Sequence, residues 1–171
     1  VGIGTPGIIR DGKVNAVNIP FKDLDLNAAV EKRLNVPVKV SNDANCAALG
    51  EAICGSGNAA RNLIMVSLGT GIGGGIIINN KIYEGKGSAG EIGHFSIDMN
   101  GRECPCGMKG CFEQYASAAA LVSSAEKAAA QNVDSVLYRL YSDNKNKLNG
   151  KLFFKAVADG CDVAKSVLDK Y

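Results

Sequence analysis

Three cysteines and a single histidine carry the sharpest chemical signal in this chain. Cys104-Pro105-Cys106 is followed by Cys111 across Gly107-Met108-Lys109-Gly110, and His94 lies shortly before them in Gly90-Glu91-Ile92-Gly93-His94. Three thiolates and one imidazole make a closed tetrahedral shell for zinc, and the two glycines let the loop fold around an ion. A closed shell leaves no position for water, so such an ion organises the loop and does not itself catalyse. The plain alternative is three free thiols and a loop histidine.

The second signal is Val66-Ser67-Leu68-Gly69-Thr70-Gly71-Ile72-Gly73-Gly74-Gly75. An apolar strand running into Gly-Thr-Gly offers backbone N–H groups and a hydroxyl at the strand's end, a combination suited to phosphate oxygens. It lacks the lysine of a Walker loop. Taken alone it is equally a glycine-rich hairpin between packed strands.

The third is Ser41-Asn42-Asp43-Ala44-Asn45, between a short strand and an alanine-rich helix. An aspartate at such a junction is most often a helix N-cap. The other reading is a carboxylate placed to take a proton from a substrate hydroxyl, with Asn42 as a neutral donor and acceptor beside it. Glu91 and Glu113 flank the cysteine loop, one three residues before His94 and one two after Cys111. They read either as surface charge or, if metal gathers the loop, as acceptors for adjacent hydroxyls of a polyhydroxylated ligand.

These residues need elements to position them. Asp11-Gly12 predicts a hairpin between Ile8-Ile9 and Val14–Val17, and Asn79-Asn80 predicts another between residues 75–78 and 81–83. Leu24, Leu26, Ala29, Val30 and Leu34 form a helical stripe stopped by Pro37, and a strand over 38–40 follows. Residues 44–60 predict a helix, 62–68 a compact strand, and 114–131 and 148–171 further helices around a polar 143–149 stretch. Strands alternating with helices predict an α/β fold with ligands at the carboxyl ends of strands.

Composition bounds the rest. The chain has 171 residues with 46% hydrophobic and 21% charged side chains, ordinary for a globular protein and unlike a disordered one. A net charge of +2 is too balanced for a strong electrostatic claim on nucleic acid or an anionic membrane. No apolar run reaches the ~18 residues of a spanning helix. Twenty-one glycines exceed the usual ~7% share, and eight of them fall between Gly69 and Gly90. Of the six cysteines, Cys46, Cys54 and Cys161 are scattered through helical segments. That pattern predicts buried thiols and a cytoplasmic location, not a secreted disulfide framework.

Together the motifs resemble the ROK family of bacterial sugar kinases and related repressors, within the actin-like ATPase superfamily. The resemblance rests on Gly4-Thr5-Pro6-Gly7, Asn42-Asp43-Ala44-Asn45, Leu68 to Gly75, Gly90 to His94 and Cys104 to Glu113. It implies Asp43 as catalytic base toward a hexose hydroxyl, and Gly7, Asn18, Asn42, Asp43, Glu91, His94 and Glu113 as sugar-binding positions. It implies Gly69, Thr70 and Gly71 as a phosphate-binding turn, and His94, Cys104, Cys106 and Cys111 as ligands of a structural Zn2+. ATP with Mg2+ would be the co-substrate of the full-length enzyme, and a homodimer or dimer of dimers its assembly. Residues 1–42 would finish a smaller lobe and 43–171 would form most of a larger one, both incomplete, so that the chain is expected to be a central fragment, inactive alone. The implied activity is phosphorylation of glucose to glucose 6-phosphate. A sugar-responsive repressor, or a kinase for an N-acetylhexosamine, fructose or allose, stands as the alternative. Ile8, where animal N-acetylmannosamine kinases carry arginine, weighs against that sugar.

Overall fold

The computed structural model describes every residue except Val17 and Asn18. The chain divides into two compact units. One comprises Val1–Ser67, Gly73–Phe95 and Cys104–Met108, and the other Leu68–Ile72, Ser96–Glu103 and Lys109–Tyr171.

In the first unit, strands β1 (Gly2–Thr5) and β4 (Lys39–Asn42) pair in parallel, with Thr5 opposite Asn42. Between them come the hairpin β2 (Ile8–Arg10) and β3 (Lys13–Asn15) and the helix α1 (Leu26–Leu34). The hairpin turns at Asp11-Gly12, both at positive φ, as the sequence predicts. Asp25 caps α1 by accepting from the Ala28 N–H, and Asn35 ends it in the left-handed conformation. Helix α2 spans Asp43–Cys54 and is shorter than the predicted 44–60 segment. Gly55 ends it, and the Glu51 carboxylate accepts from the Ser56 N–H just past the end.

Strands β5 (Leu63–Leu68), β6 (Ile72–Ile78) and β7 (Lys81–Ile82) form a sheet in that order. The β6–β7 turn has Asn79 and Asn80 both at positive φ, which fits the two-residue hairpin the sequence predicts. Strand β6 starts at Ile72, earlier than expected, so Gly73, Gly74 and Gly75 are strand residues. They stay bare because helices and loops press on both faces. A Cβ on Gly73 would lie 2.9 Å from Ala44 Cβ, and one on Gly75 would meet Ala48 Cβ and lie 3.0 Å from the Ala44 carbonyl. On the other face a Cβ on Gly74 would lie 2.7 Å from the Gly90 carbonyl. Alternate residues of β5, Ile64 and Val66, are 69% and 45% exposed.

The second unit is helical: α3 (Glu113–Ala116), α4 (Ala118–Gln131), α5 (Val136–Asp143), α6 (Gly150–Ala158) and α7 (Asp162–Asp169). Its core joins Leu121, Ala125, Ala129, Leu137, Phe153 and Ala164, with Phe153 fully buried. The predicted 114–131 helix is broken at Ser117, whose hydroxyl accepts from the Ala120 N–H to cap α4. The predicted 148–171 helix is broken at Gly160, at positive φ. Helix α5, capped by Ser135, falls where the sequence reading placed nothing. Cys161 is buried as expected, but Cys46 and Cys54 are exposed: α2 turns Ala44 and Ala48 inward, and those cysteines lie off that stripe. Among the described residues, no helix is long and apolar enough to cross a membrane.

Candidate functional site

The donor atoms of His94, Cys104, Cys106 and Cys111 all lie within 4.8 Å of one another. Nδ1 of His94 is 3.7 Å from the Cys104 Sγ. A tetrahedral zinc with its usual Zn–S and Zn–N bonds would separate its ligand atoms by about 3.6–3.8 Å. The three-sulfur, one-nitrogen donor set and its spacing therefore fit the expected ion. The loop reaches this arrangement through its own backbone: Cys104 N–H donates to the Met108 carbonyl and Gly107 N–H to the Cys104 carbonyl, both at 2.9 Å. Gly110 is at φ +69, where a Cβ would collide with the Asp98 carbonyl, so glycine is required there. His94 closes a 3-10 turn over Ile92–His94. With Nδ1 toward the sulfur, its Nε2 is turned to Glu91, 4.0 Å from Oε2. At that distance the carboxylate is an electrostatic neighbour of the second nitrogen and not its hydrogen-bond partner.

Asn42 and Asp43 stand where β4 passes into α2. Asn42, not Asp43, is the N-cap: its Oδ1 accepts from the Asn45 N–H at 3.0 Å. Its Nδ2 donates to the Gly7 carbonyl at 3.1 Å, tying the turn after β1 to the start of α2. Asp43 is thereby the first helical residue, exposed, with Oδ1 accepting from the Ala44 N–H at 2.9 Å. The capping task that competes with catalysis for an aspartate at this junction falls to its neighbour. Gly7, Asn42 and Asp43 thus form one group within the first unit, and Glu91 and His94 another. Asn18 lies outside the described residues.

The second unit holds Gly69, Thr70, Gly71 and Glu113 together. Gly69 N–H donates to the Gly71 carbonyl at 2.9 Å, closing the turn on itself. The Gly69 carbonyl accepts from the Ala118 N–H at 2.9 Å, and the Ile72 N–H donates to Oε2 of Glu113 at 2.9 Å. Thr70 is exposed and borders a cavity of about 390 Å³. Arg102, Ser117, Ser123 and Lys127 also line it, and the sequence reading singled out none of these. Ser123 and Lys127 are four apart on α4, a helical spacing that could have marked them. Arg102 is held by geometry no spacing reveals: its guanidinium stacks 4.7 Å from the Tyr115 ring, and its backbone N–H donates to the Tyr115 hydroxyl at 3.0 Å.

Residues 1–171 match the family model described as "ROK family". A xylose repressor of Bacillus subtilis is 46% identical over 127 residues, covering 72% of this chain and 33% of the repressor. A glucokinase of Streptomyces coelicolor is 43% identical over 170 residues, covering 96% of this chain and 54% of the glucokinase. A crystal structure of a ROK family glucokinase from Streptomyces griseus, in complex with glucose and AMPPNP, superposes with a TM-score of 0.85 at 40% identity. That match covers 98% of this chain and 55% of the other. The chain thus spans between a third and about half of these relatives' lengths.

Proposed function

The chain belongs to the ROK family, whose sugar kinases have the actin-like ATPase fold, and from that premise we propose that it carries the sugar, zinc and part of the phosphate machinery of an ATP-dependent hexose kinase. Glucose is the proposed substrate, in keeping with the glucokinases at 42–43% identity. The reading is carried by Asp43: an exposed carboxylate at the end of a parallel strand, relieved of capping duty by Asn42.

In the proposed reaction Asp43 takes the proton of the sugar hydroxyl as its oxygen attacks the γ-phosphorus of ATP, and ADP leaves. Asn42, Gly7, Asn18, Glu91, His94 and Glu113 orient the sugar, each carboxylate accepting from a hydroxyl. Gly69, Thr70 and Gly71 receive phosphate oxygens, with Mg2+ accompanying the nucleotide. When bound, zinc supplies a fixed loop and not a Lewis acid, because four protein ligands fill its shell. His94 then presents its Nε2 to a sugar hydroxyl, with the Glu91 carboxylate beside the same nitrogen to share that hydroxyl.

Residues 1–42 are taken to finish the smaller lobe and 43–171 most of the larger. A cytoplasmic location is proposed, in keeping with a kinase that uses ATP and keeps its cysteines as thiols, and a homodimer or dimer of dimers is the proposed assembly. The Bacillus subtilis repressor's 46% identity favours one second reading, a sugar-responsive repressor. The intact Asn42-Asp43 and Gly69-Thr70-Gly71 weigh against it. A coupled assay of ATP consumption over a panel of hexoses, run on the full-length gene product, tests both. Sugar-dependent turnover with the highest kcat/KM on glucose is expected. Sugar binding without ATP consumption would establish the repressor, and a higher kcat/KM on an N-acetylhexosamine would replace the substrate.

A further inference from the structure

We propose that Glu113 is a positioning residue for the phosphate turn, so that a carboxylate expected to serve the sugar also fixes the geometry that receives the nucleotide. The inference rests on the kinase reading. A turn of Gly69-Thr70-Gly71 is intrinsically loose, since glycine has the widest backbone freedom of any residue. A phosphate cradle works by being arranged before the ligand arrives. Something outside the turn must therefore hold it.

Two bonds do so, one at each end. At the entry, the Gly69 carbonyl accepts from the N–H of Ala118, the first residue of α4. At the exit, the Ile72 N–H donates to Oε2 of Glu113, the first residue of α3, at 2.9 Å across 41 positions of sequence. Gly71 is shaped to this second bond, because a Cβ there would overlap Oε2 of Glu113. Its φ is not positive, so the demand for glycine is for room beside the carboxylate and not for a special backbone conformation. Glu113 is half-buried and borders the same cavity as Thr70. With Oε2 spent on the Ile72 N–H, Oε1 is the oxygen left for a sugar hydroxyl. A sugar that orders Glu113 would thereby order the turn, and nucleotide affinity should rise when sugar is bound.

The test is kinetic and uses the full-length gene product. Glu113→Ala should raise the KM for ATP by about ten- to a hundredfold, the loss of a hydrogen bond to a charged acceptor, as well as raising the KM for sugar. Glu113→Gln keeps an oxygen acceptor for the Ile72 N–H and should return the KM for ATP to within about threefold of the parent. Gly71→Ala should raise the KM for ATP by displacing the carboxylate. In the Glu113→Ala background the same change should cost little more, because the collision is gone. Amide exchange at Ile72 should quicken in Glu113→Ala and recover in Glu113→Gln. If Glu113→Ala raised only the KM for sugar, or if the two substitutions were additive, the inference would fail while the kinase reading stood. A parent protein that neither binds hexose nor consumes ATP would remove both.

Discussion

Replacing Gly73 with alanine should unseat Asp43. The added methyl would lie 2.9 Å from Ala44 Cβ and 2.9 Å from Ser67 Oγ. Relaxed carbon contacts run at about 3.5–4.0 Å, so the first turn of α2 must withdraw by about 0.6–1.1 Å. Overpacking of this kind costs about 1–3 kcal/mol. A chain of this size loses about 2–4 °C of Tm per kcal/mol, which predicts a fall of about 2–12 °C in a thermal melt followed by circular dichroism. Because Asp43 directly precedes Ala44, the proposed catalytic carboxylate moves with the helix, and a displacement near 1 Å can cost the full-length gene product about a hundredfold in kcat. Ala44→Gly in the Gly73→Ala background should recover part of both losses, less about 1 kcal/mol for glycine in a helix. A Gly73→Ala protein with the parental Tm and kcat would refute the view that bare strand glycines set the height of α2 over the sheet.

Other outcomes follow from the same geometry. Asp43→Asn should lower kcat by about 10²–10⁴-fold with sugar affinity held, as steady-state kinetics and calorimetric titration of the sugar would show. Elemental analysis should find zinc in the purified protein, and Cys106→Ala should release it and weaken sugar binding by about tenfold or more. If metal content fell with no change in sugar affinity, the tie between loop and sugar would be broken. Ser117→Ala should cost about 1 kcal/mol by removing the α4 cap, readable as a lower urea midpoint at unchanged slope.

The parts legible from sequence are those built from neighbours. The Cys104 to Cys111 loop, the Asp11-Gly12 and Asn79-Asn80 hairpins and the α1 stripe each declare themselves over a few residues. Their physics, turn chemistry and ligand spacing, is local. What escaped depends on partners distant in sequence. Gly73 to Gly75 have poor strand propensity, and the reason strand positions are glycine there, the room that Ala44, Ala48 and Gly90 need, comes from distant segments. The alanine-rich run through Ser117 hides a break that the serine's capping bond makes plain. Asp43 looked like the cap because Asn and Asp cap almost equally well, and only the backbone shows that Asn42 comes first. The cavity beside Thr70 draws on Arg102, Ser123 and Lys127 from separate segments, so no window of sequence contains it.

The bare side of β5 has a practical consequence. Leu63-Ile64-Met65-Val66-Ser67-Leu68 carries no charge and no proline, and Ile64 and Val66 face water. Such a stretch has the makings of a nucleus for sticking to its own kind. Preparations of these 171 residues by themselves should turn turbid as they are concentrated and take up a dye such as ANS, and lysine at Ile64 should clear them. Anyone crystallising or titrating the piece would do well to make that substitution first.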